Sequence, residues 1–181
     1  AFRDSSGDNR WHIEQFMVSQ VVSLAFKGIP AVYIHCLTAT PNDTLGVERT
    51  GMTRSVNRRK WDQSELQQLI DNPTSETGRV FKLYSRLLEL RRKQVAFHPD
   101  AKQTLLDLGD PLFGFERTAT DGAQHILVLA NLTARSVTLG LDRLPTDLRG
   151  REELLALNKL EFSQDALILE PFAVFWFSQR T

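Results

Sequence analysis

The chain has 181 residues, with 22 basic against 22 acidic, 41% hydrophobic and 24% charged. That is the composition of a folded protein, long enough for one ordinary domain or a small domain with part of another. Zero net charge gives no reason to expect nucleic acid or a membrane surface as a partner. The one cysteine, Cys36, excludes an internal disulfide framework and fits a reducing, cytoplasmic setting.

The four histidines (His12, His35, His98, His125) lack the spacing of zinc ligands, so no metal is expected. The start, AFRDSSGDNR, is polar and has no signal-peptide pattern. No apolar run approaches the roughly 20 residues that span a bilayer. The first methionine is Met17, which hints at a fragment.

In chain order, NRWHIEQFMVSQVVSLAFKG predicts a helix capped by Asp8 or Asn9 and stopped at Gly28 before Pro30. Its apolar residues, from Trp11 to Phe26, cover most of the circumference, so it should be buried on more than one side. Ile29–Leu37, IPAVYIHCL, is short, apolar and β-branched, and predicts a buried strand of the parallel kind. Such a strand needs parallel partners, and no second strand–helix step follows. This suggests a piece of something larger.

Thr38 to Trp61 shows no periodicity and predicts a long loop, a feature that is usually functional or disordered. It contains Arg49, Arg54, Arg58, Arg59 and Lys60. WDQSELQQLIDN predicts a helix with Asp62 and Glu65 as a capping-box pair. A longer helix follows over 76–94, with Val80, Phe81, Tyr84, Leu87 and Leu88 at helical spacing and a Glu89–Lys93 pair on its surface. From about Leu105 eight strand-like runs follow: TLLDL, LFGFERT, HILVLANL, SVTLGL, ELLAL, LEFSQ, ALILE and AVFWFSQ. Turn signals such as Asp121-Gly122 and Glu170-Pro171 separate them, which predicts an antiparallel sandwich or small barrel.

The arginine run has two readings: a solvated loop whose arginines pair locally, or a site. In (β/α)8 barrels the loops after strand ends build the active site. An arginine there offers five fixed donors to carboxylates, phosphates or sugar hydroxyls. Nucleic acid fits poorly, because Trp61 alone is available for stacking. His35 reads as structural more readily than catalytic, and Cys36 lacks a pairing partner for nucleophile chemistry. Asp4 and Asp8 read as loop and cap residues. PFAVFWF, at 171–177, reads as a core strand before a sugar-stacking surface. No glycine-rich phosphate loop or nucleophile elbow is present.

Three stretches carry a resemblance: GIPAVYIHCL, GVERTGMTRSVNRRK and RVFKLYSRLLELRRKQVAFHP. They resemble the C-terminal part of the sucrose phosphorylase branch of the α-amylase superfamily, most specifically in the Gly-x-x-Arg-x-x-Asn-Arg order from Gly51 to Arg58. The resemblance implies an α+β chain: the terminal helix–strand–helix part of a (β/α)8 barrel over residues 1–96, then an antiparallel β-sandwich domain over 97–181. It implies a retaining double displacement in which two carboxyl groups sit about 5 Å apart. Phosphate then takes the glucosyl group to give α-glucose 1-phosphate.

The family's three catalytic carboxylates follow earlier strands, so no catalytic residue transfers to this chain. Arg54 matches the arginine that holds the donor glucose, and Asn57 and Arg58 match loop-support positions. No cofactor is implied. The expected partners are an α-glucoside and inorganic phosphate, not nucleic acid or a membrane, with homo-oligomer formation through the exposed barrel remnant. A hydrolase or transglycosylase of the same superfamily, or a non-catalytic β-sandwich interaction module, are the alternatives.

Overall fold

The structure, a computed structural model, describes residues 12–180. Trp11, the Asp8 or Asn9 cap, and Asp4 lie outside the described residues. Within them the chain forms two compact units, residues 31–86 and residues 12–30 with 87–180. The division does not follow a 96/97 boundary, because the first helix belongs with the strands.

That helix, α1 (His12–Ala25), buries Met17, Val18, Val21, Val22, Leu24 and Ala25. It contacts strands β3 (Gln124–Asn131) and β8 (Val174–Arg180). Eight strands appear in the predicted order. β1 (Lys102–Leu105), β2 (Leu112–Thr118), β3, β8 and β5 (Glu152–Glu153) make one antiparallel sheet in that spatial order. β4 (Val137–Gly140), β7 (Ala166–Leu169) and β6 (Glu161–Ser163) make a second.

Strand neighbours alternate between faces. Leu127 and Leu129 on β3, paired with Phe177 and Phe175 on β8, meet Leu139, Leu167 and Leu169 of the second sheet in one buried cluster. Ile126 and Val128, paired with Ser178 and Trp176, occupy the opposite face, on the same side of the large sheet as Phe115 and Arg117. Because β3 and β8 are covered on both faces, they read as continuous apolar runs rather than alternating ones. PFAVFWF is core: Trp176 and Phe175 are 0% exposed.

The outer edge of β8 has little strand pairing, since β5 is two residues long. Side chains complete it. Glu153 Oε1 accepts from the Trp176 N–H at 3.1 Å, and Asn158 Oδ1 from the Val174 N–H at 3.0 Å. These contacts satisfy an edge that would otherwise offer free donors to another chain.

Two arginines, the buried Arg117 and the half-buried Arg91, join α1 to this unit. Arg117 Nη1 donates to Ala25 O at 2.8 Å and Nη2 to His98 O at 2.8 Å. Arg91 Nε donates to Leu24 O at 2.6 Å, and Nη2 to Gly28 O at 3.2 Å and to Phe97 O at 3.0 Å. Both thus cap the carbonyl end of α1, where the helix dipole favours a cation.

The strand expected over Ile29–Leu37, which would straddle the division between the two units, is absent. Residues 29–33 make no strand pairing, and Ile34–Leu37 is a single helical turn, α2. Ile29 is 84% exposed and Tyr33 50%. A parallel strand is held by neighbours on either side, and among the described residues no segment pairs with it. The long loop is also more structured than its pattern suggests: α3 (Thr44–Thr50) and a 3₁₀ turn, Thr53–Asn57, occupy it. Asp43 caps α3, and Gly51, at φ +67°, ends it in the left-handed conformation that favours glycine.

α4 (Gln63–Asp71) starts at Asp62 as expected, but Glu65 pairs with Arg59 and does not reach back to the cap. α5 (Glu76–Arg92) ends before Lys93, so the helical spacing expected of Glu89–Lys93 is not met.

Candidate functional site

The arginine segment is folded back on itself. Gly51 reverses the chain between α3 and the 3₁₀ turn. Thr50 Oγ1 and Ser55 Oγ hydrogen-bond across the reversal at 2.9 Å. The Asp43 N–H donates to Val56 O at 2.7 Å. These contacts bring residues nine positions apart, Arg49 and Arg58, to one open cleft of about 990 Å³. Arg54, Arg59, Lys60, Asp43 and Met52 also line it.

Arg54 is exposed on the 3₁₀ turn, and its Nη2 contacts Met52 Sδ at 3.7 Å. Its other donors face no protein acceptor among the described residues, so the guanidinium is available to a ligand. Asn57 supports the loop through its main chain: its carbonyl accepts from Tyr33 Oη at 3.2 Å and from His35 Nδ1 at 3.0 Å. A carbonyl can only accept, so His35 Nδ1 carries the proton. His35 is therefore a positioning group in this structure, with its ring 4.8 Å from that of Tyr33.

Arg58 does not brace the loop through its side chain. Its guanidinium bonds to no protein group among the described residues and lines the cleft instead. Arg59 is the braced arginine: Nη2 pairs with Glu65 Oε1 at 2.9 Å, and the guanidinium lies 3.7 Å above the Trp61 ring. Trp61 is anchored in turn by its indole N–H to Thr40 Oγ1 at 2.9 Å.

Tyr33 and Asp43 were not singled out from sequence. The signal for Asp43 was present, as a cap residue eight positions before a glycine stop. Tyr33 had none, because its role depends on a fold-back of 24 residues. Burial, followed by the nearby Cys36, pushes the Tyr84 hydroxyl above its ordinary value. Among the described residues, no three His, Cys, Asp or Glu side chains gather to hold a metal, and no helix is long and apolar enough to cross a membrane.

In fold the chain is similar to a part, 34–40% of the length, of solved (β/α)8-barrel enzymes of the α-amylase kind. The trehalose-6-phosphate hydrolase of Bacillus licheniformis superposes over 97% of this chain and 40% of its own, with TM-score 0.68 at 14% identity. An isomaltulose synthase variant from Erwinia rhapontici, crystallised with D-glucose, gives TM-score 0.65 at 17% identity, with the same coverages. An α-amylase of Geobacillus thermoleovorans gives 0.62 at 17% identity, over 93% of this chain and 34% of its own.

In sequence the chain is similar to glucosylglycerate phosphorylases. The Spirochaeta thermophila enzyme of that name is 33% identical over 133 residues, 74% of this chain and 23% of its own length. The Allomeiothermus silvanus one is 39% identical over 94 residues, covering 52% and 17% respectively. The Escherichia coli one is 28% identical over 174 residues, covering 96% and 29%. The chain thus spans less than a third of the curated relatives it matches. No protein-family model matches it.

Proposed function

We propose that this chain is the C-terminal portion of a retaining glucosyl phosphorylase. Such an enzyme converts an α-glucoside of the sucrose or glucosylglycerate type, plus inorganic phosphate, to α-glucose 1-phosphate. The observation that carries the reading is Arg54: it projects from a braced turn into a basic cleft, inside the stretch on which the resemblance rests.

In this reading residues 1–96 complete the barrel and residues 97–181 form its C-terminal β-domain. Arg54 donates to hydroxyls of the donor glucose. The Asn57 carbonyl, gripped by Tyr33 and His35, fixes the turn that carries it. The attacking and protonating carboxyl groups come from parts of the enzyme outside this chain, so the chain alone is inactive. No cofactor enters the reaction. The free thiol of Cys36 fits a cytoplasmic location.

A hydrolase or transglycosylase would use the same cleft with water or a sugar as acceptor. The product separates the readings: glucose 1-phosphate for phosphorolysis, glucose or a new glycoside otherwise. The first test is to supply this chain with phosphate and sucrose, then with phosphate and glucosylglycerate. A curated relative, assayed in parallel, should form α-glucose 1-phosphate while this chain forms none. Turnover by the chain alone would contradict the proposal, since it would put the catalytic carboxylates within these 181 residues.

A further inference from the structure

The cleft around Arg54 holds more positive charge than a neutral sugar requires. Five cations line it, Arg49, Arg54, Arg58, Arg59 and Lys60, against Asp43 as the one lining carboxylate. Asp43 is already engaged, since its Oδ1 accepts from the Gly46 N–H at 2.8 Å. Arg59 is neutralised by Glu65. Arg49, Arg58 and Lys60 pair with no carboxylate among the described residues.

The whole chain is neutral, so this concentration is local. Like charges held close on a folded loop repel one another and weaken the fold, and a bound anion relieves that repulsion. Glucose presents hydroxyls, which one guanidinium can engage. The three remaining cations match a group with two or three charged oxygens, to which arginine bonds strongly in pairs of N–H donors. A cleft of about 990 Å³ has room for such a group beside a sugar ring.

We propose that Arg49, Arg58 and Lys60 form an oxyanion subsite beside Arg54, which takes either the attacking phosphate or a carboxylate on the acceptor. The proposal rests on the phosphorylase reading for these two candidates, and on the charge geometry for the anion itself.

The test titrates this chain with inorganic phosphate, with D-glycerate and with glucose at constant ionic strength. Binding is followed by calorimetry and by the rise in Tm that a ligand of the folded state produces. At least one anion should bind saturably, with affinity falling as salt rises. Arg49→Gln and Arg58→Gln should each weaken it about tenfold, the scale of one charged hydrogen bond, and leave glucose binding in place. Arg54→Ala should do the reverse. All three side chains are exposed, so these variants should keep the wild-type far-UV spectrum.

Tighter phosphate binding would assign the subsite to the nucleophile, and tighter glycerate binding to the acceptor. An anion effect no larger than that of chloride, or one unchanged in the Arg49→Gln/Arg58→Gln double variant, would overturn the proposal. Saturable anion binding by the chain, together with an intact enzyme that forms no glucose 1-phosphate, would uphold the subsite and reject the phosphorylase reading.

Discussion

Burial, then the neighbouring charge of Arg91, pulls Arg117 down to about 10. Burial also lowers Arg91. Neither has a carboxylate partner among the described residues. Main-chain carbonyls at the end of α1 and around residues 97–102 hold them instead. Arg117→Met would strip donors from buried carbonyls at about 1–3 kcal/mol for each one left unpaired. The pH dependence has a definite sign. Between about pH 10 and the ordinary arginine value, the unfolded chain keeps a proton that the folded chain has released, so this group's contribution to stability rises with pH. Urea unfolding at pH 9 and pH 11 should therefore show the wild type gaining on Arg117→Met at the higher pH. A pH-independent difference would mean that Arg117 keeps its proton throughout. The residues of the arginine run divide by the same kind of accounting. Arg59 has a carboxylate and an indole, whereas Arg54 and Arg58 have neither, and these two are free to serve a ligand.

The elements that hold their shape by local pattern and mutual cover were legible in the sequence. Six of the eight strands, α1 and α5 follow from alternation, apolar runs, and glycine or proline stops, whereas β1 begins two residues ahead of TLLDL and β5 shares only Glu153 with ELLAL. Gly114 on β2 shows how tightly the sandwich closes. A Cβ there would lie 2.6 Å from Leu108 Cδ1 and 3.0 Å from Leu129 Cδ2, both in core residues. Gly114→Ala should cost about 1–3 kcal/mol by overpacking, read as a fall in the urea midpoint at unchanged slope. A neutral substitution would show that the two leucines can move aside. Elements that depend on distant partners were not legible. Ile29–Leu37 has the composition of a buried strand, yet here it lacks the neighbours that would make it one. The fold of residues 38–61 depends on a cap at Asp43, a reversal at Gly51 and a carbonyl at Asn57 reached from Tyr33 and His35. None of these produces a hydrophobic period. The candidate site was legible as a charge cluster with Arg54 at its centre, and its cleft was not.

At the scale of the whole molecule, the exposed apolar side chains at Ile29, Tyr33 and Ile34 are what a strand removed from its sheet would leave in water. The isolated chain should therefore self-associate, with a sedimentation coefficient that rises with concentration. Ile29→Lys together with Ile34→Lys should suppress that rise, and a concentration-independent monomer would count against this picture. Under the proposed function, the catalytic carboxylates belong to other parts of the enzyme and Arg54 is this chain's sugar-binding arginine. The most direct measurement is the steady-state phosphorolysis of glucosylglycerate by the intact enzyme, wild type against Arg54→Ala. The account predicts a loss of about 2–4 kcal/mol in transition-state binding, a fall in kcat/KM of about 30-fold to about 1,000-fold. A variant within about twofold of wild type would contradict it, because Arg54 would then make no contact that strengthens as the glucosyl group is transferred.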